Sequence, residues 1–322
     1  MTVSPEAPLE ERGTRIVDES PVVEVEHASK WYGDKVAVSD LSFTLGPGVT
    51  TLLGPNGAGK TTTLRMLAGL LRPSQGSVRV LGHPIFDNPP LYRHIGLVPE
   101  QDALYPFLTA RQFVELAARL EHLPDPGAAA QRALGTVDLL DVQDRKLGGY
   151  SKGMRQRAKI AQALVHDPQV LILDEPLSGA DPAQRLELMH VFTELSNQGK
   201  TVLISSHILY EAERMGTRVL VIVEGKLAAE GDYHAIRSLM DDRPRRVAIA
   251  CTNAREIARL LIGLEGTCGL EITDQGLVVQ TVTALDLYRA VPRAAQQAGA
   301  HLYSVEGLDE DLESVFRYLV GS

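Results

Sequence analysis

The residues most able to do chemistry form a glycine-rich run that ends in a lysine and two threonines. The run fits the pattern G-x-x-x-x-G-K-S/T, with Gly54, Gly59, Lys60 and Thr61 at the four fixed places. Glycine lets the backbone wrap closely around an anion, so that N–H groups and a helix N-terminus point at phosphates. The pattern therefore predicts a nucleoside triphosphate site, in which Lys60 reaches the β- and γ-phosphates and the Thr61 hydroxyl binds Mg²⁺. The residues of the predicted loop are Gly54, Pro55, Asn56, Gly57, Ala58, Gly59, Lys60, Thr61 and Thr62.

Two carboxylates and a histidine follow later apolar runs. Asp174 and Glu175 end the aliphatic run that begins at Val170, and His207 follows the run 201–205. Because ligands bind at the carboxyl edge of an open parallel sheet, Asp174 is predicted to hold Mg²⁺ and Glu175 to orient or deprotonate a water. Alone, an acidic pair is more often a helix cap or a turn, and a lone histidine a cap or a core residue. Beside a phosphate loop, catalysis and a γ-phosphate contact are favoured.

The elements that must position these residues follow from the hydrophobic pattern. Val49–Leu53 predicts a buried strand before the phosphate loop, and Thr62–Leu71 predicts a helix after it. Tyr150–Met154 leads into a predicted helix at a serine and a glycine, which is an anion-binding geometry. Ser178–Pro182 is a predicted turn into a further helix. The apolar face of that helix comprises Leu186, Leu188, Met189, Phe192 and Leu195.

The region before the phosphate loop alternates apolar and polar residues between turn signals. This pattern predicts short antiparallel strands over residues 22–45. Trp31 and Tyr32 form an aromatic pair, predicted to lie in a loop, where a ring could stack on a purine base. Packing beside a turn is the alternative for an aromatic residue at such a place.

A helical segment interrupts the strands of the predicted core. After a strand at Ile95–Val98, Thr109 and Gln112 fit a capping box, and a second helix is predicted from Gly127 to Leu140. The segment could lie against a partner or be a solvated hairpin, and its periodicity leaves both open. The predicted apolar stripe of its first helix comprises Phe113, Leu116, Ala117 and Leu120.

The last 80 or so residues have a different pattern. After a charged linker at Asp241–Arg246, they read as strand, helix, two strands, helix, strand and helix, which suits a small α+β sandwich resembling a ferredoxin-like unit. Pro292 interrupts the fifth of these elements. With no catalytic cluster there, a regulatory or dimer-stabilising module is expected. The predicted elements are Val247–Ala250, Ala254–Leu264, Leu270–Ile272, Leu277–Val282, Leu285–Ala298, His301–Val305 and Asp309–Leu319.

Composition limits the function classes. The chain has 322 residues, 44% of them hydrophobic and 23% charged, and a net charge of −9, which is typical of a globular protein and argues against nucleic acid as the main partner. No apolar run is long enough to span a bilayer, and the first twenty residues, a predicted flexible tail without an apolar stretch, are not expected to be a signal peptide. Cys251 and Cys268 lack metal-binding spacing and are expected to be reduced and packed.

Several motifs stand in one order that resembles the ATP-binding-cassette ATPases, over about residues 22–240. Within that family the chain looks most like the separate nucleotide-binding subunits of exporters, and Leu308–Phe316 is similar to their C-terminal tails. The motifs that carry the resemblance are Tyr32, Gly54–Thr62, Tyr150–Met154, Leu171–Glu175, Ser178–Asp181 and His207.

The resemblance implies a head-to-tail pair of chains that clamps two Mg-ATP and drives a separate membrane permease. Ser151 and Gly153 would contact the γ-phosphate held by Lys60 of the other copy, and Asp181 would signal across the pair. Tyr32 would stack on adenine. His207 would hold the γ-phosphate, and Glu175 would position the attacking water.

Some positions depart from the family pattern. The signature usually reads L-S-G-G-Q, but Tyr150, Lys152 and Met154 occupy three of its five places, and Ala180 replaces a usual leucine. Lys152 could aid phosphate binding or point outward. The loop after Val98 normally carries glutamine directly after proline, whereas Glu100 stands there and Gln101 follows. Either of these two residues could contact Mg²⁺ or its water.

The sequence therefore predicts an α/β phosphate-loop ATPase with an antiparallel β subdomain and a helical subdomain, followed by a small α+β domain. The expected divisions are a tail over 1–20, a nucleotide-binding domain over 21–240 with its helical subdomain at about 101–165, and an accessory domain over 241–322. The expected partners are a permease and a second copy or a homologous ATPase, at the cytoplasmic face of the membrane. The alternative function is a soluble ATPase of the same family that acts on ribosomes or DNA.

Overall fold

A computed structural model of the chain describes residues 21–101, 104–215, 218–232, 235–236 and 244–307. The predicted N-terminal tail, the tail-like run Leu308–Phe316 and the predicted helix Asp309–Leu319 lie outside the described residues.

The central sheet has six strands in the order β10-β9-β3-β8-β7-β6, and all but β10 are parallel. Strands β7 and β9 are almost continuous runs of valine, isoleucine and leucine, whereas β3 and β8 also contain buried threonine or serine; all four are buried because both faces of the sheet are covered. Parallel strands end at one edge, so the residues that follow β3, β7 and β8 come together there. The strands are β3 (Gly48–Leu53), β6 (Ile95–Val98), β7 (Val170–Leu173), β8 (Thr201–Ser206), β9 (Arg218–Val223) and β10 (Lys226–Asp232).

A second, antiparallel sheet has the order β2-β1-β4-β5. Trp31 and Tyr32 are the last residues of β1, paired with Val36 and Lys35 of β2, so their predicted placement in a loop is wrong. The hairpin turn needs only Gly33 and Asp34, and the strand therefore continues through the aromatic pair. The strands are β1 (Val23–Tyr32), β2 (Lys35–Leu45), β4 (Gln75–Val80) and β5 (His83–Pro84).

The two sheets meet at the carbonyl of Ala37. A Cβ atom on Gly59 would lie 2.5 Å from the Ala37 oxygen, and one on Gly225 would lie 2.8 Å from it. Both glycines have positive φ angles of 104° and 78°, which side chains rarely adopt. Gly225 also donates its N–H to the Ala58 carbonyl at 2.9 Å. Two glycines from distant parts of the chain thus leave room for the Ala37 carbonyl beside the phosphate loop.

Seven α-helices with described bounds belong to this part of the chain, together with short 3-10 helices at Leu140–Val142 and Leu147–Gly149. The helix after the loop begins at Lys60 and ends at Leu67 rather than Leu71, because the chain turns at Gly69, whose φ is 73°. The second helix of the helical segment ends at Thr136 rather than Leu140. The helices are α1 (Lys60–Leu67), α2 (Pro89–Tyr92), α3 (Ala110–Leu120), α4 (Pro126–Thr136), α5 (Lys152–Leu164), α6 (Pro182–Asn197) and α7 (Leu209–Met215).

Helix α3 has the predicted capping box but a different buried face. The Thr109 hydroxyl accepts from the Gln112 N–H at 3.1 Å, and the Gln112 side chain accepts from the Thr109 N–H at 3.0 Å. Of the predicted stripe, Phe113 is buried, while Leu116 and Leu120 are 41% and 71% exposed. The core of the helical segment instead takes Ala110, Val114 and Ala118 from this helix.

The C-terminal strands form a separate antiparallel sheet in the order β12-β13-β11-β14, with its own hydrophobic core. This order agrees with the predicted ferredoxin-like arrangement. Arg245 and Arg246 begin β11, so the predicted linker extends too far, and Pro292 lies on an exposed face inside an unbroken helix. Cys251 is buried, but Cys268 is exposed and not packed as expected. The elements are β11 (Arg245–Cys251), α8 (Ala254–Leu261), β12 (Thr267–Thr273), β13 (Gly276–Thr281), α9 (Ala284–Gln297) and β14 (Leu302–Gly307).

Candidate nucleotide site

A cleft of about 470 Å³ lies at the carboxyl edge of the central sheet, against the antiparallel sheet. Of the residues singled out in the sequence, ten line it: Tyr32, Pro55, Asn56, Gly57, Gly59, Lys60, Thr61, Thr62, Glu100 and Glu175. Three more were missed, because nothing in the start of a predicted strand marks it as a cleft wall: Lys35, Val36 and Ala37.

Lys60 lies inside the phosphate loop and is only 6% exposed. Its ammonium donates to the carbonyl oxygens of Gly54 at 2.7 Å and Pro55 at 3.3 Å. The Lys60 Nζ is also 3.2 Å from Glu175 Oε1, a contact that is close enough for an ion pair but lacks hydrogen-bond alignment. Lys60 and Glu175 therefore face each other at the floor of the cleft.

Glu175 joins the cation to the histidine at the end of the neighbouring strand. Its Oε2 lies 2.9 Å from His207 Nδ1, and its side chain is 11% exposed. The Glu175 φ angle is +48°, so the residue adopts the left-handed conformation two positions after the last residue of β7. This turn brings its carboxylate between Lys60 and His207. The structure thus places three residues that are far apart in the sequence in one cluster.

Ser205, which the sequence did not single out, links the two acidic residues. Its hydroxyl donates to Asp174 Oδ1 at 2.7 Å and accepts from the Glu175 N–H at 2.8 Å. Asp174 is 4% exposed and donates its own N–H to the Val98 carbonyl at 2.9 Å. The only sequence signal for this role was a serine hydroxyl near the end of β8, the strand next to β7. It is weak, since serine often ends strands without such a role.

Loss of this hydroxyl should misplace both carboxylates. We expect Ser205→Ala to lower kcat about tenfold, since removing one partner of a buried polar group costs about 1–3 kcal/mol. Steady-state phosphate release at a saturating concentration of nucleoside triphosphate measures the effect. Ser77→Ala is a control, because the Ser77 hydroxyl makes its hydrogen bond to Glu26 on the exposed antiparallel sheet. A native kcat in the Ser205 variant would show that the backbone alone holds the acidic pair.

A second buried carboxylate stands behind His207. Glu211 of α7 is 3% exposed, its Oε2 accepts from the Ser206 hydroxyl at 2.5 Å, and its Oε1 lies 3.8 Å from Arg185 Nη1. Burial raises the pKa of Glu211, and the Ser206 hydrogen bond and Arg185 partly oppose that shift. Arg185 also donates to the Ala180 carbonyl at 3.1 Å. The turn before α6 is thereby connected to the end of β8.

The remaining predicted site residues do not line the cleft. Ser151 caps α5, with its hydroxyl accepting from the Met154 N–H at 3.2 Å, and Asp181 caps α6 by accepting from the Gln184 N–H at 3.0 Å. A Cβ on Gly153 would lie 1.7 Å from the Gln184 side-chain oxygen, so the two helix starts are in contact. The Asp174 side chain and the exposed Gln101 are also absent from the cleft wall.

Two of the departures from the family pattern have a local structural reason. Tyr150 is buried, and its hydroxyl donates to the Val142 carbonyl at 2.7 Å, so the phenol fills an apolar site and satisfies its polar end. Burial raises the pKa of this hydroxyl. The Lys152 ammonium lies over Gly179, where a Cβ atom would be only 1.9 Å from it. Lys152 therefore rests on the turn before α6 in its own chain.

Within the described ranges, no helix combines the length and the apolar character needed to cross a bilayer.

A parallel sheet with a glycine loop between strand and helix, and with an acidic pair at its carboxyl edge, defines a phosphate-loop nucleoside triphosphatase. A family model described as "ABC transporter" matches residues 38–178. The chain is 42% identical over 221 residues to Nod factor export ATP-binding protein I of Burkholderia orbicola, covering 66% of this chain and 72% of that one. It is 36% identical over 307 residues to the daunorubicin resistance ATP-binding protein DrrA3 of Streptomyces coeruleorubidus, covering 93% and 96%.

A solved structure of an ATP-binding subunit of an ABC transporter is similar to this chain, with a TM-score of 0.61, 30% identity and coverage of 68% of this chain and 93% of that one. The chain belongs to the ABC transporter family. It is an ATP-binding subunit with ATPase activity, and the prediction of family and function is confirmed.

Proposed function

We propose that two copies of this chain close around two Mg-ATP and that hydrolysis drives a separate permease that exports its substrate. The position of Ser151, Gly153 and Asp181 carries the pairing. These residues lie at two touching helix starts and do not line the cleft of their own chain, which supports contact with a nucleotide held by a second copy. Export is supported by the names of the relatives, a Nod factor exporter and a daunorubicin resistance protein. These relatives give no support to the ribosome or DNA alternative.

The chemistry of the site fits a magnesium ion bound with the nucleotide. Magnesium usually takes one or two protein oxygens together with phosphate oxygens and water, and the Thr61 hydroxyl and the Asp174 carboxylate would supply the protein oxygens. Glu100, which lines the cleft, would contact the metal or its water in preference to Gln101. Bound magnesium would neutralise charge that develops on the phosphates.

The remaining roles belong to side chains of the cleft floor. Lys60 would hold the β- and γ-phosphates, and Glu175 would accept a proton from the attacking water or orient it. Among the described residues the buried Glu175 Oε1 has no aligned hydrogen-bond donor, which suits an oxygen that takes a water hydrogen. His207, hydrogen-bonded to the other oxygen, would hold the γ-phosphate.

The permease contact is assigned to the helical subdomain, about 101–165, within a nucleotide-binding domain of 21–240. Four large apolar side chains of this subdomain are exposed, namely Tyr105, Phe107, Leu116 and Leu120. Residues 241–322 would be an accessory domain that regulates or stabilises the pair. The assembly would lie at the cytoplasmic face of the membrane, attached through the permease.

Pairing is tested with Glu175→Gln, which should preserve ATP binding while blocking turnover. We expect this variant to double its mass in light scattering on addition of Mg-ATP, and to return to a single copy when Mg²⁺ is chelated. Co-purification with a permease of about six apolar spans tests the second half of the proposal. A variant that binds ATP yet stays a single chain at every concentration would refute the clamp.

The base-binding end of the cleft allows a smaller prediction. Tyr32 is 49% exposed at the cleft wall, and the Lys30 ammonium lies 5.5 Å from the centre of its ring. If the ring stacks on adenine, Tyr32→Ala should weaken ATP binding about fivefold, because such a stack contributes about 0.5–1.5 kcal/mol. Tyr32→Phe keeps the ring and should bind normally in the same fluorescence titration. Equal loss in both variants would contradict stacking.

A further inference from the structure

A buried lysine connects helix α5 to the loop that follows β6. Lys159 is only 3% exposed, although it carries a charge. It lies on the buried side of α5, between Ala158 and Ile160. Its ammonium donates to the carbonyl oxygens of Pro99 at 3.2 Å, Glu100 at 3.4 Å and Gln101 at 3.4 Å. One side chain thus reaches three consecutive backbone acceptors.

This arrangement matches the chemistry of an ammonium group, which has three donors and no acceptor. A buried charge is costly unless it is hydrogen-bonded, so a lysine at an apolar helix position needs these carbonyls. Each carbonyl belongs to a residue after the end of β6, where the sheet no longer supplies hydrogen-bond donors. The lysine therefore fixes the course of a loop that the sheet itself leaves free.

The loop held by Lys159 forms part of the cleft wall. The Glu100 side chain lines the cleft, whereas the carbonyl of the same residue accepts from Lys159. The helix that carries Lys159 begins at Ser151, which our proposed function assigns to the nucleotide of the other copy. A single buried cation therefore lies between the two places on one chain that meet the two nucleotides.

We propose that Lys159 is a positioning residue for ATP hydrolysis: it holds Glu100 at the cleft and ties this loop to the helix that begins at Ser151. This inference rests on the proposed function for its effect on hydrolysis. The claim that Lys159 holds the loop after β6 in place does not depend on the proposed function and can be tested without nucleotide. Lys159 does not touch the cleft itself, so its effect passes through Glu100.

The first test removes the three donors at nearly constant volume. Lys159→Met should lower the melting temperature moderately, because it removes the donor from three loop carbonyls while leaving those carbonyls in place. In the absence of nucleotide, amide hydrogen exchange in the segment after Val98 should become at least tenfold faster. Unchanged exchange there would overturn the proposed tether, whatever the enzyme does with ATP.

The second test measures hydrolysis against Mg²⁺ concentration. We expect Lys159→Met to raise the Mg²⁺ concentration for half-maximal rate several-fold and to lower kcat about tenfold, with ATP binding in EDTA changed less than twofold. Lys159→Arg keeps the charge and the donors and should recover most of the rate. A native Mg²⁺ profile in the Met variant would overturn the inference. Wild-type protein without hydrolysis would instead count against the proposed function.

Two comparisons separate positioning from a general loss of structure. Lys200→Met is the matched control, because the Lys200 ammonium also donates to a carbonyl, that of Pro168 at 2.7 Å, but at the opposite edge of the sheet. It should leave the Mg²⁺ profile unchanged. In a Glu100→Ala background, Lys159→Met should have little further effect on kcat, since contacting sites are not additive. Full additivity of the two changes would overturn the route through Glu100.

Discussion

Glu175→Gln should lower ATP turnover at least about 100-fold while ATP still binds. The amide has the shape of the carboxylate but cannot accept a proton, and general-base catalysis contributes about 10²–10⁴-fold. The variant also removes a negative charge 3.2 Å from Lys60 Nζ, so ATP affinity should stay native or increase. Phosphate release and binding of a fluorescent ATP analogue measure the two properties separately.

The control for this experiment is an exposed carboxylate of the same type. Glu194→Gln changes a residue on the solvent side of α6 and should hydrolyse ATP at the native rate. Hydrolysis at the native rate by the Glu175 variant itself would mean that another group activates the water. His207 would then be the next residue to change, since its ring contacts the same carboxylate.

Lys60→Ala should weaken ATP binding about 100-fold or more. A charged hydrogen bond contributes about 1.5–3 kcal/mol, and Lys60 is expected to make such bonds to two phosphates. The same change leaves Glu175 beside an unfilled position, and breaking a buried pair costs about 3–5 kcal/mol. The melting temperature of the free protein should therefore fall as well. Isothermal titration at a temperature well below that of unfolding isolates the binding effect.

A double variant distinguishes lost binding from lost stability. Lys60→Ala combined with Glu175→Gln removes both members of the pair, so it should recover much of the lost stability yet bind ATP no better than Lys60→Ala. Lys146→Ala, an exposed lysine of the helical segment, controls for general charge. Native affinity in the Lys60→Ala variant would contradict the role that the phosphate loop assigns to this lysine.

The parts of the fold that depend on local pattern were predictable from the sequence. The strand before the phosphate loop, the helix caps at Thr109 and Ser151 and the run from Val170 each follow from residues a few positions apart. So does the hairpin at Gly225, where Glu224 and the glycine both adopt positive φ angles. Such elements are fixed by periodicity and turn chemistry, which a single sequence displays.

The errors and omissions arise where tertiary contacts decide. Leu116 has the helical spacing of a core residue, yet the helix presents a neighbouring face to the core and leaves this side chain exposed. Ser205 and Lys159 gained no role from the sequence, because their partners lie about 30 and 60 positions away. Spacing indicates which residues share a strand or helix, but not which strands lie side by side.

The carbonyl of Ala37 between Gly59 and Gly225 has a consequence for dissection of this molecule. Strand β2, the phosphate loop and the turn after β9 interlock at that point, although a long stretch of chain separates the first two from the third. A fragment that stops before β9 would contain every residue of the glycine loop. It would lack Gly225, which packs against the Ala37 carbonyl and donates to the Ala58 carbonyl of the loop. Such a truncated peptide should bind triphosphate poorly, so the anion site is a property of the finished architecture and cannot be transplanted as a short segment.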